Sequence, residues 1–233
     1  MPTRHCCEVR RISASPDPDG AASSAGAATA GAASSGAAPR TAAQRERRGR
    51  IIEVATQLLV DRDYDRIQIR HVAESAGVAL DTLYRYFPSK ELLYAHVLVE
   101  WADSFPGAGG AARSLGSSDE ERLRSVLLRA ARAYERRPTF YRLITALSAV
   151  RDPAVAAVFQ RFADAFDSTM RTALADTSER DAQVVATVAA AMLHTRLGAW
   201  SAGRSTMREV RADLDDAVRI LFRGPQVATG PSS

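Results

Sequence analysis

The stretch from Ile69 to Lys90, IRHVAESAGVALDTLYRYFPSK, constrains this 233-residue chain more than any other. Its apolar positions predict two short helices that meet in a tight turn at Gly77, and the second helix ends before Pro88. Leu83 and Phe87 give the second helix a core-facing edge, whereas most of its other positions are polar or aromatic. A helix of about two turns with this pattern suits the recognition helix of a helix-turn-helix, whose N-terminal half enters a DNA major groove.

Basic residues are concentrated just before this stretch. Residues 40–50 contain five arginines and a single acid, Glu46, whereas the net charge of the whole chain is only +4. A compact basic cluster ahead of a helix-turn-helix is the electrostatic footprint expected for phosphate binding. We expect Arg45, Arg47 and Arg48 to act through counterion release, which makes binding depend on salt without reading the base sequence.

The first 40 residues are dominated by Ala, Gly, Ser and Pro. Such a segment has too little apolar surface to offset its ordering entropy, so it is predicted to be a disordered tail. It could be a DNA-scanning arm or a dispensable extension. Its adjacent cysteines, Cys6 and Cys7, indicate no disulfide framework, and with His5 they would make a poor metal site. We expect no metal and no other cofactor.

Capping signals divide the rest of the chain into helices. Thr41 and Gln44 have the spacing of a capping box, and Ser89 is the predicted N-cap of a long helix that runs to about Phe105. The stretch 106–116, with four glycines, is predicted to break that helix. Further helix starts are predicted at Ser118, Pro138, Asp152, Ser178 and Thr206. Strand-like alternation of useful length is absent from the sequence, so the predicted fold class is all-α.

This order of elements, with AGVALDTLYRYFPSKELL in the helix-turn-helix, resembles the TetR family of one-component bacterial transcriptional regulators. The resemblance is most specific from about Gln44 to Phe105. It implies a homodimer that binds a palindromic DNA operator, usually as a repressor, and leaves the DNA when a small apolar effector enters the C-terminal half. The C-terminal half is similar to actinobacterial regulators of cholesterol and steroid catabolism in RAYERRP, GAW and LDDAVRILF. That likeness implies a fatty or steroid acyl-CoA effector.

The predicted domains follow from the resemblance. They are a tail (1–40), a helix-turn-helix DNA-binding domain (41–88), a connecting helix (89–105), a helical ligand-binding and dimerisation domain (106–224) and a second disordered tail (225–233). The longest apolar run, 184–193, is far too short to span a bilayer, and the chain opens with no charged-then-apolar signal. We therefore expect a cytoplasmic protein that does not associate with membranes.

Candidate DNA contacts come from the family's positions and from the basic cluster. They are Arg45, Arg48, Arg70, Leu80, Asp81, Thr82, Tyr84, Arg85, Tyr86 and Lys90. Hydroxyls of this set can donate to phosphate oxygens, Lys90 adds a charge at a helix start, and Arg85 could pair with guanine or sit on the backbone. Asp81 could accept from cytosine, hold Arg85, or stabilise the helix N-terminus. Tyr84 and Tyr86 could instead pack beneath the next helix.

An effector pocket between helices needs apolar and aromatic walls with a few polar groups. The candidates are Trp101, Tyr134, Phe140, Tyr141, Ile144, Phe159, Phe162, Phe166, Met192 and His194. Each of these side chains could equally belong to the core, because a helical domain of this size must bury such residues. The phosphates of an acyl-CoA would need cations, for which the candidates are Arg136, Arg137, Arg142 and Arg196.

The run VVATVAAAML at 184–193 is apolar nearly all round, which indicates burial on more than one side. Together with the final helix it is predicted to form a four-helix interface across a twofold axis, as the resemblance implies. The candidate dimer residues are Val184, Val188, Ala191, Thr195, Leu214, Val218 and Leu221.

An enzyme is disfavoured. The sequence shows no nucleophile–base pair, metal-ligand cluster or glycine-rich phosphate loop, so we assign no catalytic residues. Two alternatives stay open: a DNA-binding regulator that responds to a partner protein or to no ligand, and, less favoured, an enzyme that handles acyl-CoA.

Overall fold

The computed structural model describes residues 41–104 and 108–223, and within these ranges it contains helices and no strand. The predicted all-α class is therefore confirmed. The two predicted disordered tails and the predicted end of the connecting helix near Phe105 lie outside the described residues.

Nine α-helices follow one another in the described ranges, with two short 3-10 segments between them. They are α1 (Ala42–Asp61), α2 (Ile69–Ser75), α3 (Leu80–Tyr86), α4 (Lys90–Asp103), α5 (Asp119–Arg136), α6 (Pro138–Ser148), α7 (Pro153–Ala173), α8 (Glu179–Ser201) and α9 (Met207–Arg223). The 3-10 segments are Tyr64–Arg66 and Ala108–Leu115. None of these helices is both long and apolar enough to cross a membrane.

Side-chain caps explain where the helices begin. The Thr41 hydroxyl accepts from the Gln44 amide at 3.2 Å, and the Gln44 side chain accepts from the Thr41 amide at 3.1 Å, which confirms the predicted capping box. The other predicted caps also accept hydrogen bonds from the first turns of their helices: Ser89, Ser118, Asp152, Ser178 and Thr206. Each cap satisfies an amide that would otherwise lack a partner.

The turn between α2 and α3 depends on Gly77. Its φ angle of 64° lies in the left-handed region, which glycine adopts without steric cost. The Gly77 amide donates to the Glu74 carbonyl at 3.1 Å, and the Val78 amide donates to the Ala73 carbonyl at 3.0 Å. This Schellman arrangement ends α2 and sets the direction of α3.

Helix α4 joins the helix-turn-helix to the rest of the protein. It packs against α1 and against α7, so Leu93, Tyr94, Val97 and Leu98 are all fully buried. Because both faces are covered, α4 cannot shift without disturbing one neighbour or the other.

The glycine-rich stretch that was predicted to be a plain break forms 3-10 turns instead. Ala112, within Ala108–Leu115, is fully buried, and the segment packs against α7 and α5. The Leu115 carbonyl accepts from the Ser125 hydroxyl of α5 at 3.1 Å. Small side chains allow the segment to lie close to these helices.

A buried ion pair at the start of α5 fixes the turn between α7 and α8. Asp119 and Arg122 are each 7% exposed and form an ion pair. The Arg122 Nε donates to the Ala173 carbonyl at 2.8 Å, and Asp119 accepts from the Asp176 amide and from the Thr177 hydroxyl. These hydrogen bonds hold together the ends of two helices that line the cavity described below.

Candidate DNA-binding surface and effector cavity

Helix α3 turns its apolar edge inward and its polar face outward. Leu83 and Phe87 are fully buried, as predicted. Asp81 and Arg85 are exposed, and Tyr84 is 39% exposed even though it is aromatic. Within the described ranges, neither an ion pair nor a side-chain hydrogen bond engages these three residues. The outer face of α3 is therefore available for contact with another molecule.

The other candidate DNA contacts fall into two groups. Arg45 on α1 and Arg70 on α2 are exposed. Half-buried positions make up the second group: Arg48, Leu80, Thr82, Tyr86 and Lys90. The possibility that Asp81 holds Arg85 finds no counterpart in the structure, since the two form no ion pair in the described part of the chain.

Lys90, the first residue of α4, points back to the 3-10 turn before α2. Its Nζ donates to the Tyr64 carbonyl at 2.6 Å and lies 4.1 Å from the centre of the Tyr64 ring. Burial lowers the pKa of Lys90. The Tyr64 hydroxyl in turn donates to Glu91 at 3.0 Å. Lys90 therefore has a structural task that the sequence did not reveal, beside its predicted phosphate contact.

A cavity of about 560 Å³ lies between α5, α6, α7 and α8. Seven of the ten pocket candidates line it: Tyr134, Tyr141, Ile144, Phe159, Phe162, Phe166 and His194. Tyr134 is 6% exposed, and burial raises its pKa, so its phenol is neutral at physiological pH. The inner wall of the cavity is therefore aromatic and uncharged.

The remaining three candidates lie elsewhere. Trp101 and Phe140 are buried behind the cavity wall with their ring centres 4.5 Å apart, and Trp101 also contacts the Tyr134 ring at 5.0 Å. Met192 lines a separate apolar groove of about 230 Å³ between α5, α8 and α9. Trp101 and Phe140 thus support the wall without forming it.

The mouth of the cavity is polar and lies between α7 and α8. Its exposed residues include Gln160, Asp164, Gln183 and Thr187. The Asp164 carboxylate accepts from the Gln160 amide at 2.8 Å. Among the described residues, no lysine or arginine lines the cavity.

The four arginines considered for CoA phosphates lie away from this lining. Arg142 pairs with Asp63, and Arg196 pairs with Asp213. Arg137 lies over the ring of Phe140, and Arg136 is exposed on α5.

Tyr141 connects two walls of the cavity. Its hydroxyl donates to the His194 carbonyl at 2.8 Å, which joins α6 to α8. Gly198 leaves room for this contact, since a Cβ added there would come within 3.3 Å of the Tyr141 oxygen. The glycine of the GAW motif therefore has a packing role.

Sequence reasoning missed most of the polar side of the cavity. Gln160, Asp164 and Asp167 recur at helical spacing beside the aromatic stripe of α7, and Gln183 and Thr187 do the same on α8. This spacing was visible in the sequence, but polar residues at such positions are usually solvated, so the stripe carried no distinct signal.

One face of α8 exposes apolar side chains. Val184 is 57% exposed and Val188 46% exposed, and Ala191 and Thr195 continue this stripe at the same helical spacing. We call these four residues the α8 stripe.

The dimer candidates on α9 are placed differently. Leu214 and Val218 are each 1% exposed, because they pack within the protomer, and Leu221 is half-buried. The large apolar side chain that α9 does expose is Ile220, which is 71% exposed. Sequence reasoning did not select Ile220.

Comparison with known proteins identifies the family. The sequence matches the bacterial regulatory proteins of the tetR family over residues 51–97 and the tetracyclin repressor-like C-terminal domain over residues 116–221. The HTH-type transcriptional repressor KstR of Mycolicibacterium smegmatis is 32% identical over 180 residues, which cover 77% of this chain and 88% of that relative. The chain belongs to the TetR family.

Solved structures of TetR-family members share the fold. A TetR transcriptional regulator from Rhodococcus sp. RHA1 superposes with a TM-score of 0.67 at 27% identity, over 79% of this chain and 99% of that one. Thermus thermophilus FadR, a repressor solved with lauroyl-CoA, gives 0.64 at 20% identity, over 80% and 98% of the two chains. An identity this low shows the fold alone.

TetR-family proteins are DNA-binding transcription regulators and generally not enzymes. Among the residues that the structure describes, no group of His, Cys, Asp or Glu side chains is arranged to hold a metal ion. The adjacent cysteines considered at the N-terminus lie outside those residues.

Proposed function

We propose that the protein is a dimeric repressor that binds a palindromic operator and leaves it when an apolar effector fills the cavity. The observation that carries the proposal is the outer face of α3, where Asp81, Tyr84 and Arg85 are exposed on a helix anchored by Leu83. Hydroxyl and guanidinium groups are the side chains that bind phosphates and base edges.

The dimer supplies the spacing between two such helices. We assign the α8 stripe, together with Ile220, to the dimer interface, because a run of exposed valines on a long helix is costly in water. A twofold axis there would set two α3 helices roughly 34–36 Å apart, about one DNA turn. The operator would then be an inverted repeat.

The cavity would hold the apolar part of the effector. Aromatic walls and a volume of about 560 Å³ suit an acyl chain or a sterol nucleus. A fatty or steroid acyl-CoA is supported by the relative from Thermus thermophilus, which binds lauroyl-CoA. Since the described lining carries no lysine or arginine, we assign only the acyl or sterol part to the cavity. The CoA phosphates would lie beyond its mouth.

Release would proceed through α7 and α4. Helix α7 lines the cavity through Phe159, Phe162 and Phe166, and it also packs along α4. An effector that wedges these rings outward would move α4 and change the spacing of the two α3 helices. It must bind the DNA-incompetent arrangement more tightly, because a ligand with equal affinity for both arrangements shifts nothing.

The test begins by selecting duplexes with the full-length protein from a randomised pool and sequencing those retained. We expect an inverted repeat, and we expect a protein dimer by sedimentation. Long-chain acyl-CoA and cholestenone are then added to the complex in a gel-shift assay. Selection of no duplex would contradict DNA recognition.

A thermal-shift experiment with the same two probes separates the ligand-responsive repressor from a regulator that needs no ligand. A specific ligand raises the melting temperature by mass action. A melting temperature that neither probe changes, together with unchanged DNA binding, would favour the ligand-independent alternative.

A further inference from the structure

Arg48 differs from the other arginines of the basic cluster in where its guanidinium lies. Arg45 and Arg47 are exposed, whereas the Arg48 side chain is only 25% exposed. Its Nη2 is 2.8 Å from the Nδ1 of His96, and its Nη1 is 3.9 Å from the carboxylate of Glu100. The guanidinium is thus turned toward α4.

The same guanidinium also covers the end of the recognition helix. Its central carbon lies 5.2 Å from the centre of the Phe87 ring, and Phe87 is the residue that caps α3. The Phe87 and His96 rings meet edge to face with their centres 5.6 Å apart. We call Arg48, Phe87 and His96 the α1–α3–α4 joint, because each belongs to a different one of these elements.

His96 is suited to accept this hydrogen bond at physiological pH. Burial lowers its pKa to about 4, with further contributions from the cationic groups of Arg48 and Arg161. The neutral ring can therefore accept at Nδ1 while Nε2 carries the proton. A planar guanidinium can donate to His96 and stack on Phe87 together, which an ammonium group cannot do.

We propose that Arg48 is a positioning residue that fixes α3 relative to α4, and not a phosphate contact. The proposal rests on DNA binding by α3 and deepens it, because it names the side chain through which a movement of α4 reaches the recognition helix. The contacts of Arg48 occupy the guanidinium edge and face that a phosphate would need. They also cross the junction between the helix-turn-helix and α4.

Salt dependence distinguishes the two roles, with Arg45 as the matched control on the same helix. Each phosphate that a protein neutralises contributes about 0.9 to the slope of log affinity against log salt concentration. We expect Arg45→Gln to reduce that slope by roughly this amount for each phosphate that the variant no longer neutralises. We expect Arg48→Gln to weaken binding to the selected duplex roughly tenfold with the slope unchanged. A slope reduced as in Arg45→Gln, or an affinity restored by Arg48→Lys, would contradict the proposal.

Variants at His96 test whether Arg48 acts through α4. His96→Leu removes the acceptor at similar size, whereas His96→Asn can keep a polar atom near the position of Nδ1. We expect His96→Leu to weaken DNA binding as Arg48→Gln does, His96→Asn to weaken it less, and the double variant to bind no more weakly than either single variant. Effects that multiply in the double variant would show that the two residues act independently.

Hydrogen exchange supplies a readout that needs no DNA. If Arg48 holds α3 in place, amides of residues 80–87 will exchange faster in Arg48→Gln but not in Arg45→Gln. Unchanged exchange in both variants would overturn the positioning role. Selection of no duplex by the wild-type protein would count against the proposed function, and exchange would still decide the role of Arg48.

Discussion

The DNA-binding surface and the effector cavity use aromatic and polar side chains in opposite ways. On α3 the polar face meets solvent, and even the aromatic Tyr84 is 39% exposed. In the cavity the aromatic side chains of α5, α6 and α7 face inward, and polar residues such as Gln160 and Asp164 stand only at the mouth. The first region is built to be contacted from outside, and the second to enclose an apolar molecule. Changes in one should therefore leave the other's binding largely intact.

Filling the cavity should separate the two regions most strongly. Ala163 lines the cavity on α7 and is half-buried, whereas Ala157 on the same helix is exposed and lies outside the lining. We expect Ala163→Phe to weaken effector binding roughly hundredfold, because the added ring occupies the space of the ligand. Calorimetry with a long-chain acyl-CoA measures the change, and Ala157→Phe is the control. Equal binding by both variants would mean that the effector binds elsewhere.

A change on α3 should have the converse effect. Arg85 is exposed at the last turn of the recognition helix. We expect Arg85→Ala to reduce affinity for the selected duplex roughly tenfold or more at fixed salt, because alanine offers no charge to a base or phosphate. Effector affinity should not change. Arg132→Ala, an exposed arginine on α5, should leave DNA affinity as it is, and a similar reduction in that variant would point to non-specific charge.

The two regions also differ in how far the sequence could predict them. Helix α3 is seven residues long and has one buried position, so its outward residues follow directly from Leu83. Thr41, Gln44 and Gly77 likewise predict local structure, because caps and turns depend on neighbours a few residues away. The helix-turn-helix was predictable for this reason.

The cavity was less predictable because its walls depend on how helices pack. Trp101 and Tyr134 look alike in sequence, yet Trp101 lies behind the wall and Tyr134 lines it. Leu214 and Ile220 share one helix, but only Ile220 faces outward. Arg48 appeared to be one basic residue among several, and its contact with His96 spans 48 positions along the chain. Local periodicity carries no information on such long-range partners.

Lys90 sharpens the comparison, because it lies in the DNA-binding region but also serves the fold. Its Nζ donates to the Tyr64 carbonyl at 2.6 Å and lies over the Tyr64 ring. We expect Lys90→Ala to lower the free energy of unfolding by about 1 kcal/mol as well as to weaken DNA binding. Tyr84→Ala should weaken DNA binding with little change in stability. Urea denaturation measures both variants, and equal stabilities would show that the Lys90 contact is weak in solution.

The smallest effect is expected at the cavity mouth. Asp164 is exposed there, and its one hydrogen-bond partner in the described chain is Gln160. If CoA phosphates pass this carboxylate, Asp164→Asn should raise affinity for a long-chain acyl-CoA roughly two- to threefold, because a weak, screened repulsion is removed. Affinity for uncharged cholestenone should stay the same. An equal change for both ligands would show that the effect is not electrostatic.

The most direct measurement compares affinity for the selected duplex with and without a saturating effector, in the wild-type protein and in Ala163→Phe. We predict that the effector raises the dissociation constant of the wild-type complex at least roughly tenfold, which corresponds to about 1.4 kcal/mol of coupling. In Ala163→Phe the dissociation constant should not respond. An effector that binds the wild-type cavity without changing its DNA affinity, or that still releases DNA from the filled variant, would contradict the link between cavity and recognition helix.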